Sequence, residues 1–507
     1  MTPIRRPAGR SRLAGRAFIA SAGALFPALA GAHGFGQRFD LPLPLWLWLT
    51  GAGATIVVTF VLIGIFVRDE RPLLGYPRLD LLQWRPVRWV VNGTTATILR
   101  TAAALLFLLT LAAGLFGNPD PYSNLITTMV WVVWWVGVAF CCALVGDLWS
   151  VVNPWRTIFG WTESAFAAIT RGRRLAPAMR YPRWLGAWPA VLVFLAFAWA
   201  ELIWPDKNVP SRLGAVLLGY SVYTWIGMGL FGRDTWLRQA EAFTLAFGVL
   251  ARFAPLEYVE SPAGGAGPSG RALNLRPFGA GLLSSQPVAW SFMAFVLLML
   301  ATVTYDGFQE TSLMQRVDTA AQTSHAMATV LFDLSELGFE ESLVTHTVTL
   351  VVFAVAFVAI FWTIGWISLR GEVRRSERGL TPNVVACSFV LTLVPIAVAY
   401  HLSHYFSLLL TAGQFIIPLA SDPFGWGWNL FGTAGYKVDL AIVSPYVFWY
   451  SAVAIIVLGH VVAVFLAHGV AVRLFGKQAL AREVPMVLLM VGYTCLSLWI
   501  LAQPIVG

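Results

Sequence analysis

Ten apolar segments, each long enough to cross the hydrocarbon core of a bilayer, leave this chain few alternatives to a polytopic membrane fold. They run over 45–67, 95–116, 124–145, 187–205, 212–231, 284–304, 344–368, 385–411, 445–470 and 483–503. Of the 507 residues, 58% are hydrophobic and 12% are charged, where a soluble domain carries about 25% charged residues. A water-soluble fold could not hide that much apolar surface, so a soluble enzyme, a disordered chain and a secreted disulfide scaffold are excluded. Lipid offers the backbone no hydrogen bonds, so spans of this length close their own as helices. The expected fold class is therefore all-α: a transmembrane helix bundle of about ten spans after an N-terminal signal segment.

The loops alternate sharply in charge. Loops 68–94, 146–186, 232–283, 369–384 and 471–482 hold 23 Arg and Lys. The intervening loops hold only Arg38, Lys207, Arg212, Arg316 and Lys437. Basic loops stay on the cytoplasmic side, which puts both ends of the mature chain outside. The net charge of +9 is thus an orientation signal and does not call for a nucleic-acid partner. The expected partner is the lipid bilayer.

Residues 1–32 read as a signal peptide or a short uncleaved anchor. Arg5, Arg6, Arg10, Arg12 and Arg16 precede the apolar run 17–30, and Ala30-Gly31-Ala32 fits a small-x-small cleavage site. Cleavage would leave His33 as a new N-terminus, whose amine and imidazole together suit copper. The rest, 33–507, reads as one membrane-embedded domain. Within it, segment 233–254 is expected to lie along the inner interface as an amphipathic helix. The Gly-, Pro- and Ser-rich stretch 255–282 reads as a flexible inner loop. The acidic outer loop 305–343 is expected to fold as short helices over the outer mouth.

Signatures of soluble catalysis are missing. There is no phosphate-binding Gly-rich loop, hence no nucleotide, no nucleophile elbow and no H-E-x-x-H. The four cysteines fall in apolar stretches without zinc-finger spacing. What remains is ionisable residues inside or beside the spans, which are costly in lipid and mark functional sites. His401 and His404, at i and i+3 in VPIAVAYHLSHYFSLLL, share one helix face in the outer leaflet and can reach one metal ion or anion. Pro395 below them is placed to kink the helix toward a cavity. Glu201, Asp306, His346 and Asp422 arrive at similar depth from other segments. Two imidazoles with carboxylates in a low-dielectric pocket suit a divalent ion, zinc or another transition metal. The same residues read equally as interfacial groups bonded to water and tyrosine. His460 and His468 lie deeper and read as hydrogen-bonded structural residues, with haem ligation as the alternative for His460.

Three stretches, AHGFGQRFDLPLPLWLWLTGAGA at 32–54, GDLWSVVNPWRTIFGW at 146–161 and YHLSHYFSLLLTAGQFIIPLASDPFGWGWNLFGTAG at 400–435, together resemble a family of bacterial multi-pass membrane proteins labelled fenitrothion hydrolase. TVTYDGFQET and LGHVVAVFLAH fit as well; the run QETSLMQRV after TYDGF and the long acidic outer loop depart from the pattern. The resemblance implies a protein of the bacterial cytoplasmic membrane that hydrolyses an apolar phosphotriester. On that reading His401, His404 and His346 would hold the metal, and Asp306 or Glu201 would be a further ligand or general base. The competing reading is a transporter or metal-handling protein in which the same cluster binds its cargo and protons move through Glu201 and the histidines. A scaffold without metal or turnover is the third.

Overall fold

The computed structural model describes residues 43–67, 76–173, 175, 179–260, 271–338, 340–370 and 379–506. The signal segment 1–32 and His33 lie outside the described residues. Eight helical stretches among the described residues are long and apolar enough to cross a membrane, and the chain is a multi-pass, all-α protein by that measure. The helices used below are α1 (Leu45–Phe66), α2 (Gly93–Phe116), α3 (Leu125–Leu144), α4 (Pro154–Ile169), α5 (Trp188–Leu202) and α6 (Pro210–Phe231). They continue with α7 (Arg233–Gln239), α8 (Ala242–Ala251), α9 (Trp290–Gln309), α10 (Ser312–Thr323), α11 (His325–Glu336) and α12 (Glu341–Ser368). The last three are α13 (Val394–Thr411), α14 (Pro445–Phe475) and α15 (Ala479–Val506).

Every apolar segment of the sequence overlaps one of these helices. Two of the boundaries matter for the site. Helix α5 has 15 residues, about 22 Å at 1.5 Å per residue and short for a core about 30 Å thick. Helix α13 is the longest element of a continuous helical stretch, Pro382–Ser421.

Burial sorts the helices into centre and periphery. Helix α9 and the Pro382–Ser421 stretch are buried along most of their length, whereas α1 and α12 turn most of their residues outward. Those outward faces are Val, Leu, Ile and Phe, for example Val57, Val58 and Phe66 on α1 and Val352 and Val355 on α12. In water such faces would be exposed hydrophobic patches; against lipid they cost nothing. At the centre, small residues let backbones approach. A Cβ on Gly459 of α14 would stand 2.3 Å from Ala399 Cβ on α13 and 2.8 Å from the Pro395 carbonyl oxygen, the close contact that glycine permits between packed spans.

Two irregularities shape the central helices. Helix α3 is π-helical over Thr128–Val138, a widening often found at functional sites. Pro395 stands in the first turn of α13, immediately after a 3₁₀ turn, Val390–Leu393, that joins α13 to the helix Pro382–Phe389. The missing proline N–H therefore falls at a helix start, where it costs little.

Two expectations about the connections are corrected, and the short helices expected in the acidic loop are present with its first residues reassigned. Segment 233–254 is not one interfacial helix. It breaks at Ala240–Glu241 into α7 and α8, and α8 is buried on nearly all sides. Its sequence, AFTLAFGVLA, has no polar stripe to offer water, which is why it enters the bundle. Glu241 caps it, accepting from the backbone N–H of Phe243 (3.0 Å) and Thr244 (2.7 Å) and from the hydroxyls of Tyr220 and Thr244. Stretch 255–282 is ordered at both ends. Strand β2 (Leu256–Glu260) pairs antiparallel with β3 (Arg271–Leu275), and β3 pairs with the short β1 (Leu79–Asp80). Buried Arg276 holds the base of this hairpin, donating to Glu257 Oε1 (2.5 Å) and to the Ala254 carbonyl (3.2 Å). Finally, residues 305–309 of the acidic loop are the last turn of α9, and helices α10 and α11 follow.

Candidate functional site

Asp306 is the centre of the site. It lies one turn from the end of α9 and is 6% exposed. One carboxylate oxygen, Oδ2, accepts from the Tyr405 hydroxyl (2.6 Å) and pairs with His404 Nε2 (2.8 Å); the other, Oδ1, accepts from Gln309 Nε2 (3.3 Å). An ionised carboxylate only accepts, so His404 Nε2 carries the hydrogen in this arrangement. Both partners come from α13, whose adjacent residues His404 and Tyr405 straddle the α9 contact. Charge-assisted bonds of this kind are short and strong, and in a low-dielectric interior they hold the carboxylate that lipid would otherwise expel.

Glu201, in the last turn of α5, extends the chain. Its Oε1 lies 3.5 Å from the Tyr405 hydroxyl oxygen, the outer limit of a hydrogen bond. The single phenolic hydrogen is committed to Asp306, so a proton on Glu201 would point at the Tyr405 oxygen. Lys207 stands nearby, with Nζ donating to the Glu201 backbone carbonyl (2.7 Å). A cavity of about 30 Å³ is lined by Glu201, His401 and Tyr405 among apolar neighbours including Trp135 and Phe194, room enough for a water molecule.

His401 faces that cavity and is not part of the Asp306 contact. Its ring packs edge-on against Trp135 (5.7 Å), Phe140 (5.7 Å) and Tyr405 (4.8 Å), and its Nε2 is buried without a hydrogen-bond partner. The π-helical stretch of α3 is what supplies Trp135. His404 stacks instead on Tyr400 (5.8 Å, 20° between planes), whose hydroxyl is also buried and unpartnered. The two imidazoles that share a helix face by spacing thus turn to different neighbours. Each lies 4.8 Å from the Tyr405 ring.

The other sequence candidates lie apart from this contact. His346, on α12, stands 3.5 Å from Asp318 Oδ2 on α10, and its backbone carbonyl accepts from Tyr305 (2.9 Å). Asp422 spends both carboxylate oxygens on the turn that follows, accepting from Trp426 N–H (3.0 Å) and Gly427 N–H (2.7 Å). His460 is buried on α14 with Nδ1 bonded to the Ile456 carbonyl (2.9 Å). Glu310 follows the last residue of α9. It is open to solvent on one side, yet its carboxyl is pushed above the ordinary range by partial desolvation and then by the Asp306 carboxylate, against the opposing pull of His404, Lys207 and His346.

A metal would need three or more of these donors to converge. Among the described residues no group of three or more His, Cys, Asp or Glu side chains is placed to hold one. His404 is engaged by Asp306, His401 lines the cavity beside Glu201 and Tyr405 and has no contact with Asp306, and His346 and Asp422 have partners elsewhere. The donor set among the described residues does not fit the expected metal centre.

The arrangement is a hydrogen-bonded series, Glu201 to Tyr405 to Asp306 to His404, closed off by aromatic rings. Tyr405, which stands between the two carboxylates of the series, is a member that the sequence analysis does not single out. Its position four residues after His401 and next to His404 was the available signal. Protein-family models, curated proteins and solved structures give no match to this chain.

Proposed function

We propose that this protein moves protons in the membrane, as a proton-coupled transporter does, with Asp306 as the proton-exchanging group. The observation that carries the reading is a buried carboxylate on a near-fully buried span, bonded to both an imidazole and a phenol. Ionisable residues at membrane depth are expensive and mark proton relays. The ten-span topology with the acidic loop outside belongs to the same proposal and rests on the distribution of basic residues.

In the relay, a proton arriving on His404 passes through Nε2 to Asp306. Once Asp306 is protonated, the Tyr405 hydroxyl turns from it to Glu201, and Asp306 donates to the phenolic oxygen as the phenolic hydrogen passes to Glu201. At His404 one N–H bond forms and one breaks, at Asp306 and Tyr405 one O–H bond forms as another breaks, and Glu201 gains an O–H that it then gives up to water, so no charge is left on the phenol. The cavity beside His401 and Glu201 would hold the water that takes the proton onward. The hydrolase reading implied by the family resemblance asks for a metal-bound water, and the donor set gives it little support.

The test is proton uptake by the purified chain in sealed vesicles under an imposed pH gradient, read with an entrapped pH dye. Wild-type protein should acidify the lumen, and Asp306→Asn should slow this by about a hundredfold, the scale of losing a positioned proton-transfer group. Unchanged flux in Asp306→Asn overturns the proposal. So does turnover of a nitrophenyl phosphotriester in detergent that is lost in His401→Ala, which would return the function to hydrolysis.

A further inference from the structure

A second buried acid–base pair lies far from Asp306 along the helices. His468, late in α14, and Glu483, in the second turn of α15, are 2% and 0% exposed. His468 Nδ1 and Glu483 Oε2 stand 2.7 Å apart, and His468 Nε2 stands 2.8 Å from the Val67 carbonyl oxygen at the end of α1. A carbonyl only accepts, so Nε2 carries a hydrogen. Nδ1 and Oε2 are then either a lone pair facing a lone pair, which repels at that distance, or two atoms sharing one proton. The spacing requires the shared proton. Glu483 Oε1 is buried with no partner, so this carboxyl is not held by a set of donors as a purely structural carboxylate would be.

Between the two pairs stands His460. Its Nδ1–H is spent on the Ile456 carbonyl, which leaves the lone pair on Nε2, and that atom is buried and unpartnered. It is a vacant proton acceptor in the interior. Its ring lies 6.1 Å from the Tyr493 ring, and Tyr493 bonds Thr304, two residues before Asp306 on α9. On the other side, Tyr400 stacks on His404 and offers its own unpartnered hydroxyl.

We propose that His468–Glu483 is a second proton-binding site, at the basic-loop end of the bundle, reached from Asp306–His404 through His460. This rests on the proton-relay reading of the Asp306 site. The shared proton leaves the Nδ1–Oε2 position toward the basic loops, leaving Glu483 as a carboxylate beside the imidazole lone pair. A proton held on His460 Nε2 then restores it. His460 and His468 are eight residues apart, about 12 Å along the helix, so the transfer between them needs a transient water. The cations nearest in sequence are engaged with other groups: Arg473 with the Ser284 carbonyl, and Arg482 with the Arg370 carbonyl and Gln478.

The experiment uses the full chain in two settings. Proton flux is read in vesicles as above, and protonation of carboxyl groups is read in detergent by pH-difference infrared spectroscopy. Glu483→Gln and His460→Gln should each lower flux about tenfold or more while the band lost in Asp306→Asn still titrates. Glu483→Asp, which keeps the acid, should retain most of the flux, an outcome a packing role for Glu483 would not produce. Wild-type flux in either Glu483→Gln or His460→Gln overturns the inference and leaves the Asp306 reading intact. Loss of Asp306 titration in the wild-type protein instead sinks the Asp306 reading itself. Should Glu483→Gln fail to fold, His460→Gln decides.

Discussion

In the proposed relay Tyr405 is the pivotal residue, because its one hydrogen and one oxygen face two carboxylates at once. Tyr405→Phe removes both functions and leaves the ring. We expect proton flux to fall by about tenfold to a hundredfold, while the thermal unfolding midpoint in detergent moves little. Asp306 keeps His404 as a partner in that variant, so the site stays folded. Gly307 offers a second residue-scale prediction. A Cβ there would meet Ile500 Cγ2 at 2.5 Å and the Tyr400 hydroxyl at 2.7 Å. Gly307→Ala should therefore push Tyr400 off His404 and cost about 1–3 kcal/mol through overpacking, measurable as a lower unfolding midpoint together with reduced flux. What the sequence showed at this scale was the identity of the ionisable residues. It named Asp306, Glu201 and the two histidines from their depth in apolar runs. It could not show that His401 and His404 part company, since helical spacing fixes the direction of Cβ but leaves χ1 to the neighbours. Asp306 captures one ring, and Trp135 and Phe140 hold the other.

At the scale of elements, α8 is the test of how the bundle accepts a helix too short to span. Its start depends on Glu241, whose two carboxylate oxygens satisfy two backbone N–H groups and two hydroxyls in a fully buried setting. Glu241→Ala leaves those donors unmet, and each unmet buried group costs about 1–3 kcal/mol. The variant should unfold at a markedly lower temperature in detergent, and Glu241→Gln should recover part of the loss. Helices were the legible elements, because long apolar runs declare themselves. The missed ones were short. A segment of ten apolar residues has no periodicity to separate a buried helix from an interfacial one. The β2–β3 hairpin was hidden behind the Gly and Pro between its strands, since strand pairing depends on a partner, β1, almost two hundred residues away.

For the molecule as a whole, the spread of polar groups along the buried helices is the property that distinguishes a relay from a metal site. Protein purified without added metal should carry no stoichiometric zinc, copper or iron by elemental analysis, and a strong chelator should leave proton flux unchanged. Stoichiometric metal lost together with flux would reverse the assignment. At this scale the 23 basic residues in alternate loops supply an expected orientation, whereas the proposed link between the two acid–base pairs has no counterpart in the sequence. It depends on α9, α13, α14 and α15 lying side by side, and no sequence spacing reports that.

The three-stranded sheet has a mechanical consequence. Strand β1 belongs to the linker between α1 and α2, while β2 and β3 belong to the linker between α8 and α9. Backbone hydrogen bonds and the Arg78–Glu257 ion pair (3.2 Å) clamp these two linkers into one plate. Helices hung from a common plate cannot slide past each other at that end. The ends of α1, α2, α8 and α9 that these linkers carry are thus held together at the end of α9 opposite Asp306.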